Sequence, residues 1–133
     1  MKISFVNGCF DVLHPGHIEM LKYARSSGDY LIVAIDSDRK VEEMKGPERP
    51  IFPQHDRALM LKAIRYVDVV HIFDTKTELE ELLESIKPDT MVVGSDWKGK
   101  TVIGEQHTNK LMFFDRIGNY STTNILEWKN YQK

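Results

Sequence analysis

Cysteine is almost missing from this chain: Cys9 is the only one in 133 residues. No internal disulfide can form, so a reducing, cytoplasmic compartment is expected. No apolar run approaches the roughly 18–20 residues of a membrane span. Met1-Lys2 lead straight into a strand-like run, so a secretory signal is not expected either. Neither sign of charge dominates. Lys and Arg total 18 against 20 Asp and Glu, a net charge of −2, which argues against nucleic acid or an anionic membrane as partner. Repeats, low-complexity tracts and linkers are lacking. What is present is an ordinary globular balance, 41% hydrophobic and 29% charged. The length suits one domain over residues 1–133. A chain of this size buries roughly two-thirds of its unfolded surface without a metal or disulfide staple.

Short apolar runs alternate with helical patterns. Ile3 to Val6, Leu31 to Ile35, Asp68 to Phe73, Thr90 to Val93 and Leu111 to Phe114 read as five strands. The second is apolar without alternation, which suits a strand covered on both faces. Ile18, Leu21 and Ala24 share one helical face in the segment 17–25, and Gly28 is the natural stop. Residues 36–52 are polar, hold Gly46, Pro47 and Pro50, and read as a long loop. A helix is expected over 53–66, with Pro53 in its first turn. Thr77 with Glu80 predicts a capping box for a further helix ending before Pro88. A closing helix is expected over 121–128, capped by Ser121 or Thr122. Strands alternating with helices predict an α/β fold, a Rossmann-like, doubly wound, five-stranded parallel sheet with helices on both faces. Ligands of such sheets bind beyond the carboxyl ends of the strands, where strand order reverses. The segments 7–17, 36–53, 94–109 and 115–123 are therefore singled out.

Asn7-Gly8-Cys9-Phe10-Asp11-Val12-Leu13-His14-Pro15-Gly16-His17 carries the most information. A strand enters it and a helix leaves it. Gly8 and Gly16 permit close backbone approach, and a helix start offers N–H groups to a phosphate. His14 and His17 are three residues apart, so both imidazoles can serve an anion whose charge grows in a transition state. A lone histidine here would merely cap the helix; two of them beside two glycines favour a site. Cys9, His14 and His17 could in principle bind a metal, but zinc sites draw on richer ligand sets, and a protein-ligated metal is not expected. Gly94-Ser95-Asp96-Trp97-Lys98-Gly99-Lys100-Thr101 fits a phosphate-binding P-loop letter for letter. That loop must open a helix, whereas Thr101-Val102-Ile103-Gly104 is β-branched and glycine-containing, and Asp96 would repel a phosphate. A P-loop NTPase is thus a remote alternative.

Lys45 and Arg49 sit on the long loop, while Arg57 and Arg65 lie about 80° apart around one expected helix. Arg suits bidentate phosphate contacts and Lys a point charge; solvated surface charge is the plain alternative. Ser121-Thr122-Thr123 gather hydroxyls at a helix start. Asp36 and Asp38, at a strand end, are candidates for substrate hydroxyls, and Asp11 more for orienting its loop than for acid–base work.

His14-Pro15-Gly16-His17, within Gly-Cys-Phe-Asp-Val-Leu-His, resembles the HxGH signature of the cytidylyltransferase-like nucleotidyltransferases. The likeness spans nearly the whole chain. The opening Asn7 to Asp11, the Lys45-Gly46 to Arg49-Pro50 loop and the ending Ser121 to Ile125 resemble the heptose-1-phosphate adenylyltransferase branch. Ile64 to Asp68, Asp96-Trp97-Lys98-Gly99-Lys100 and Arg116 resemble the glycerol-3-phosphate cytidylyltransferase branch. Ser95 and Tyr120 depart from the latter, which has an acidic residue and an isoleucine there.

The resemblance implies attack of an acceptor phosphate on the α-phosphorus of a nucleoside triphosphate, with loss of pyrophosphate and no covalent enzyme intermediate. His14, His17, Lys45, Ser121 and Thr122 would act on the triphosphate. Gly8, Cys9, Phe10, Gly16, Asp96, Trp97, Arg116 and Thr123 would hold the nucleotide. Asp11, Asp38, Arg57 and Arg65 would face the acceptor. Mg2+ carried mainly on triphosphate oxygens is implied, as is a homodimer. The opening and closing motifs favour ATP and a sugar phosphate over CTP and glycerol 3-phosphate. A module that binds nucleotide without catalysis is the alternative of a different class.

Overall fold

The computed structural model describes residues 1–118 and 120–127. Five strands, β1 (Ile3–Gly8), β2 (Tyr30–Asp36), β3 (Val69–Phe73), β4 (Thr90–Gly94) and β5 (Lys110–Phe114), form one parallel sheet in the order β3-β2-β1-β4-β5. Strand order reverses between β1 and β4, and this reversal places the site. The helices are α1 (Pro15–Ser26), α2 (Asp38–Lys45), α3 (Gln54–Lys62), α4 (Lys76–Ile86) and α5 (Thr122–Leu126).

The unbroken apolar run of β2 follows from its central place. Leu31, Val33 and Ile35 enter one core with Val6, Leu21, Ala24, Ala58, Leu61 and Val92. Ile32 and Ala34 enter the other with Phe5, Phe73, Leu79, Leu83, Met91 and Val93. Successive residues of a strand point to opposite faces, so α1 and α3 cover one face and α4 the other. Among the described residues no helix is long and apolar enough to cross a membrane.

Several element boundaries differ from the sequence reading. Residues 36–52 are not all loop: Ser37 caps α2, its hydroxyl accepting from the Lys40 N–H at 3.2 Å. That helix buries only Val41, so its composition is as polar as a loop's. The helix expected over 53–66 ends at Lys62, where the chain tightens into turns, Ile64 N–H to Leu61 O and Val67 N–H to Ile64 O, both 3.0 Å. α4 is capped one turn-fraction earlier than expected, by Thr75 with Glu78; Glu80 instead accepts from Gln106 Nε2 at 2.8 Å. Gly28 does follow α1, but its need for glycine is space: a Cβ would lie 2.9 Å from the Lys2 carbonyl oxygen. The expected final residue of the closing helix, Trp128, lies outside the described residues.

Candidate functional site

The turn after β1 is held in an unusual backbone shape. Phe10 and Val12 both have positive φ, 52° and 57°, a region costly for a β-branched residue. Its fastening is visible. The Asp11 side chain, wholly buried, accepts from Ile51 N–H at 2.7 Å and Phe52 N–H at 3.0 Å and pairs with Arg49 Nε at 3.1 Å. The Arg49–Pro50 peptide between them is cis. Thr122 Oγ1 donates to the Asp11 carbonyl at 2.5 Å, tying α5 to the same turn. Fully buried Arg57 donates to the carbonyls of Cys9, Asp36 and Phe52 and to Asp38 Oδ1, all within 2.8–2.9 Å. One guanidinium thereby joins the ends of β1 and β2 to the start of α3.

Out of this turn the chain enters α1 through both histidines. His14 is the N-cap; its Nδ1 accepts from the Gly16 N–H at 3.1 Å, and His17 Nδ1 accepts from the His14 N–H at 3.2 Å. This is a capping box with imidazoles in place of Ser and Glu. An Nδ1 that accepts carries no proton, so the neutral ring carries its hydrogen on Nε2. The rings stack at 3.8 Å between centroids, with Phe10 against His17 at 5.2 Å and Tyr120 over His14 at 5.8 Å. Burial, with His14 and Lys45 adding to it, pushes His17 down to about 4. Burial and Arg116 lower His14 as well. At neutral pH both imidazoles are uncharged donors.

They line a cavity of about 350 Å³ at the carboxyl ends of β1, β4 and β5. Gly16, Lys45, Asp96, Arg116, Ser121, Thr122 and Thr123, all candidates of the sequence reading, join them there. Arg116 Nη2 and Asp96 Oδ2 face each other at 3.4 Å, both exposed. Met20, Phe114 and Ile117 supply apolar wall, and Gly94, Ser95 and Tyr120 complete the lining. The sequence reading named none of those three apolar residues for the site. Their signal was position alone, one helical turn into α1 or just past a strand end.

Other candidates take different places. Gly8 lies beneath the Phe10 ring, which a Cβ there would approach to 3.1 Å. Cys9 does not line the cavity; burial raises its thiol, and its carbonyl serves Arg57. Trp97 is half-exposed on the short turn Ser95–Trp97 and does not line the cavity. Asp11, Asp38 and Arg57 are engaged with one another's loops as described. Arg65 does not share a helix with Arg57: it is exposed beyond α3, beside the strand starts, where Asp68 N–H reaches Leu31 O at 3.0 Å. The P-loop alternative fails on its geometry, since no α-helix opens after Thr101 and Lys100 is exposed. Among the described residues no group of three or more His, Cys, Asp or Glu is placed to hold a metal ion.

The model of the family described as "Cytidylyltransferase-like" matches residues 5–127. The bifunctional protein HldE of Campylobacter fetus is 48% identical over 122 residues, 92% of this chain and 26% of its own length. HldE of Helicobacter hepaticus is 46% identical over 95% of this chain and 26% of its own. The chain thus spans about a quarter of these relatives. Among solved structures, the lipopolysaccharide core biosynthesis protein of Thermoplasma volcanium superposes with a TM-score of 0.67 at 25% identity, covering 91% of this chain and 99% of that one. Pantothenate synthetase of Thermus thermophilus shares the fold alone, with a TM-score of 0.66 at 14% identity over 94% of this chain and 61% of its own. With paired imidazoles at the strand-order reversal and a family model matched from Phe5 to Glu127, the chain belongs to the cytidylyltransferase-like family of nucleotidyltransferases.

Proposed function

We propose that this domain transfers a nucleotidyl group, from ATP in preference to CTP, to a phosphorylated sugar of the heptose-1-phosphate kind. An acceptor phosphate oxygen forms a bond to the α-phosphorus, and the bond from that phosphorus to the bridging oxygen breaks. Pyrophosphate leaves with the electron pair. The observation that carries this reading is the pair of imidazoles whose Nδ1 atoms are tied to backbone N–H groups, which leaves two Nε2–H donors in one cavity.

Neutral donors stabilise charge that develops on phosphate oxygens without being held as ion pairs in the ground state, so their help is greatest in the transition state. Lys45 and Arg116 add full positive charge on the cavity wall, and the N-terminus of α1 adds its partial charge. Catalysis of this kind is positioning plus electrostatics. Magnesium, when bound, neutralises triphosphate oxygens that serve as its chief ligands, and Asp96 is the carboxylate lining the cavity that is suited to its water shell. The similarity to the HldE proteins, together with the opening and closing motifs, favours the sugar phosphate over glycerol 3-phosphate.

Pyrophosphate release measured across ATP, CTP, GTP and UTP, each with heptose 1-phosphate and glycerol 3-phosphate, tests the reading. Turnover with ATP and heptose 1-phosphate is expected. Nucleotide binding without pyrophosphate release from any pair would instead identify a non-catalytic binding module. The homodimer that the resemblance implies is tested by light scattering.

A further inference from the structure

Tyr120 stands between β5 and α5 and lines the cavity, yet the transfer chemistry proposed above gives its ring no part. That ring lies beside the His14 imidazole, 5.8 Å between centroids and 15° from parallel, the geometry of an offset stack. The root of the side chain rests on the first turn of α1: a Cβ placed on Gly16 would come within 3.4 Å of the Tyr120 Cβ. With Phe10 on His17 at 5.2 Å and His17 on His14 at 3.8 Å, Tyr120 completes a contiguous series of four rings. The series runs from the β1 turn to the segment before α5, the same two segments that the Thr122 hydroxyl ties together at the Asp11 carbonyl. We infer that Tyr120 is a positioning residue for the transfer: its ring face holds the His14 imidazole in the orientation that keeps the Nε2–H directed at the phosphates.

This role rests on the nucleotidyl-transfer reading and on how His14 is held. Its Nδ1 accepts from the Gly16 N–H at 3.1 Å, a bond that tethers one atom of the ring. Rotation about the Cβ–Cγ bond of histidine has broad wells, so that tether by itself lets the far edge, which carries Nε2, swing. A nearly parallel neighbouring ring restricts the swing, because turning the imidazole out of plane loses contact or collides. Gly16 belongs to the same arrangement: a Cβ there would lie 2.9 Å from His14 Cε1 and 3.0 Å from Nδ1, pushing the imidazole away from the phenol. Placement matters because a donor displaced by about 1 Å can cost ~10²-fold in rate. The Tyr120 ring also keeps water off His14, which is lowered from 6.5 chiefly by burial and then by Arg116. The charged or titratable groups around His14 are His17 on α1, Lys45 at the end of α2, Asp96 after β4 and Arg116 after β5. A substitution at Tyr120 changes the charge of none of them.

Tyr120→Ala and Tyr120→Phe test this in the full chain. Tyr120 is 38% exposed, so neither change opens the core. At saturating ATP and heptose 1-phosphate, Tyr120→Ala should lower kcat about tenfold or more. Tyr120→Phe keeps the ring face and should stay within about twofold of wild type, and calorimetric Kd for ATP should stay within about threefold in both variants. Histidine NMR titration of the unliganded proteins reads the contact directly. The His14 transition should move up toward 6.5 in Tyr120→Ala and not in Tyr120→Phe, while His17 remains low in all three proteins. An unchanged kcat in Tyr120→Ala would overturn the inference, as would an equal loss in Tyr120→Phe, or a fall in kcat with the His14 titration unmoved. Weakening of ATP binding as large as the fall in kcat would overturn it too, by making Tyr120 a nucleotide contact. Absence of turnover in the wild type would overturn the transfer reading. The titration would then still decide whether Tyr120 holds His14: a rise in Tyr120→Ala alone supports that hold, and identical titrations overturn it.

Discussion

Replacing His17 with Asn should remove a large part of the acid sensitivity of this fold. Asn can still accept from the His14 N–H, the bond that His17 Nδ1 makes at 3.2 Å, but it does not titrate. In the folded protein His17 is pushed from 6.5 down to about 4, chiefly by burial. A histidine with a depressed folded value contributes its full stability above 6.5, and that stability is lost as pH falls toward 4, because the unfolded chain binds the proton first. At pH 5 nearly all unfolded chains carry this proton, against about a tenth of folded ones. Integrated from pH 7 to pH 5, the loss from this one residue is about 2 kcal/mol. Urea unfolding of wild type and His17→Asn at both pH values isolates it: the wild type should lose about 2 kcal/mol more than the variant over that interval. If the two proteins lose stability in parallel, within about 0.5 kcal/mol, the imidazole is not desolvated. The picture of a neutral donor held ready for phosphate would then be wrong.

Three further outcomes follow from the same geometry. His14→Ala should lower kcat for pyrophosphate release about 10²–10³-fold at saturating nucleotide, the usual effect of losing one transition-state donor; a fall under threefold would remove His14 from the chemistry. Arg57→Met should destabilise the fold by at least about 3 kcal/mol in chemical denaturation, since the carbonyls of Cys9, Asp36 and Phe52 lose their donor. Arg57→Lys should rescue little of it, because one ammonium cannot span four acceptors. Thr75→Ala should cost about 1 kcal/mol through the α4 cap, whereas Thr77→Ala, exposed within the first turn, should change stability by less than about 0.5 kcal/mol.

Much of the architecture was legible because burial leaves a mark on residue type. Apolar runs on both faces of β2 announced a central parallel strand, and the Leu13-His14-Pro15-Gly16-His17 turn announced a candidate site after β1. α2 was not legible, since a helix that buries only Val41 has no apolar periodicity to read. The length of α3 was misjudged because Ile64 lies three residues past Leu61, a helical spacing, yet it packs against the core from a turn. The roles of Asp11 and Arg57 could not be separated from substrate binding by residue type, because a carboxylate or guanidinium suits a phosphate ester and a buried loop equally well.

The amino-acid sequence alone determined the strand–helix alternation, the end of the sheet that holds the site, and the presence of His14 and His17 in it. These depend on local pattern and on the short-range geometry of one turn. Tertiary structure alone decided which charges are free to act. Lys45 and Arg116 line the cavity beside the paired histidines, while Arg57 is buried in the fold and Arg65 lies exposed beyond α3. A charge's availability depends on what lies within hydrogen-bond reach across 20 or more residues of chain, as between Arg57 and the carbonyls of Asp36, 21 residues away, and Cys9, 48 away, and that distance is set only when the sheet closes its loops together.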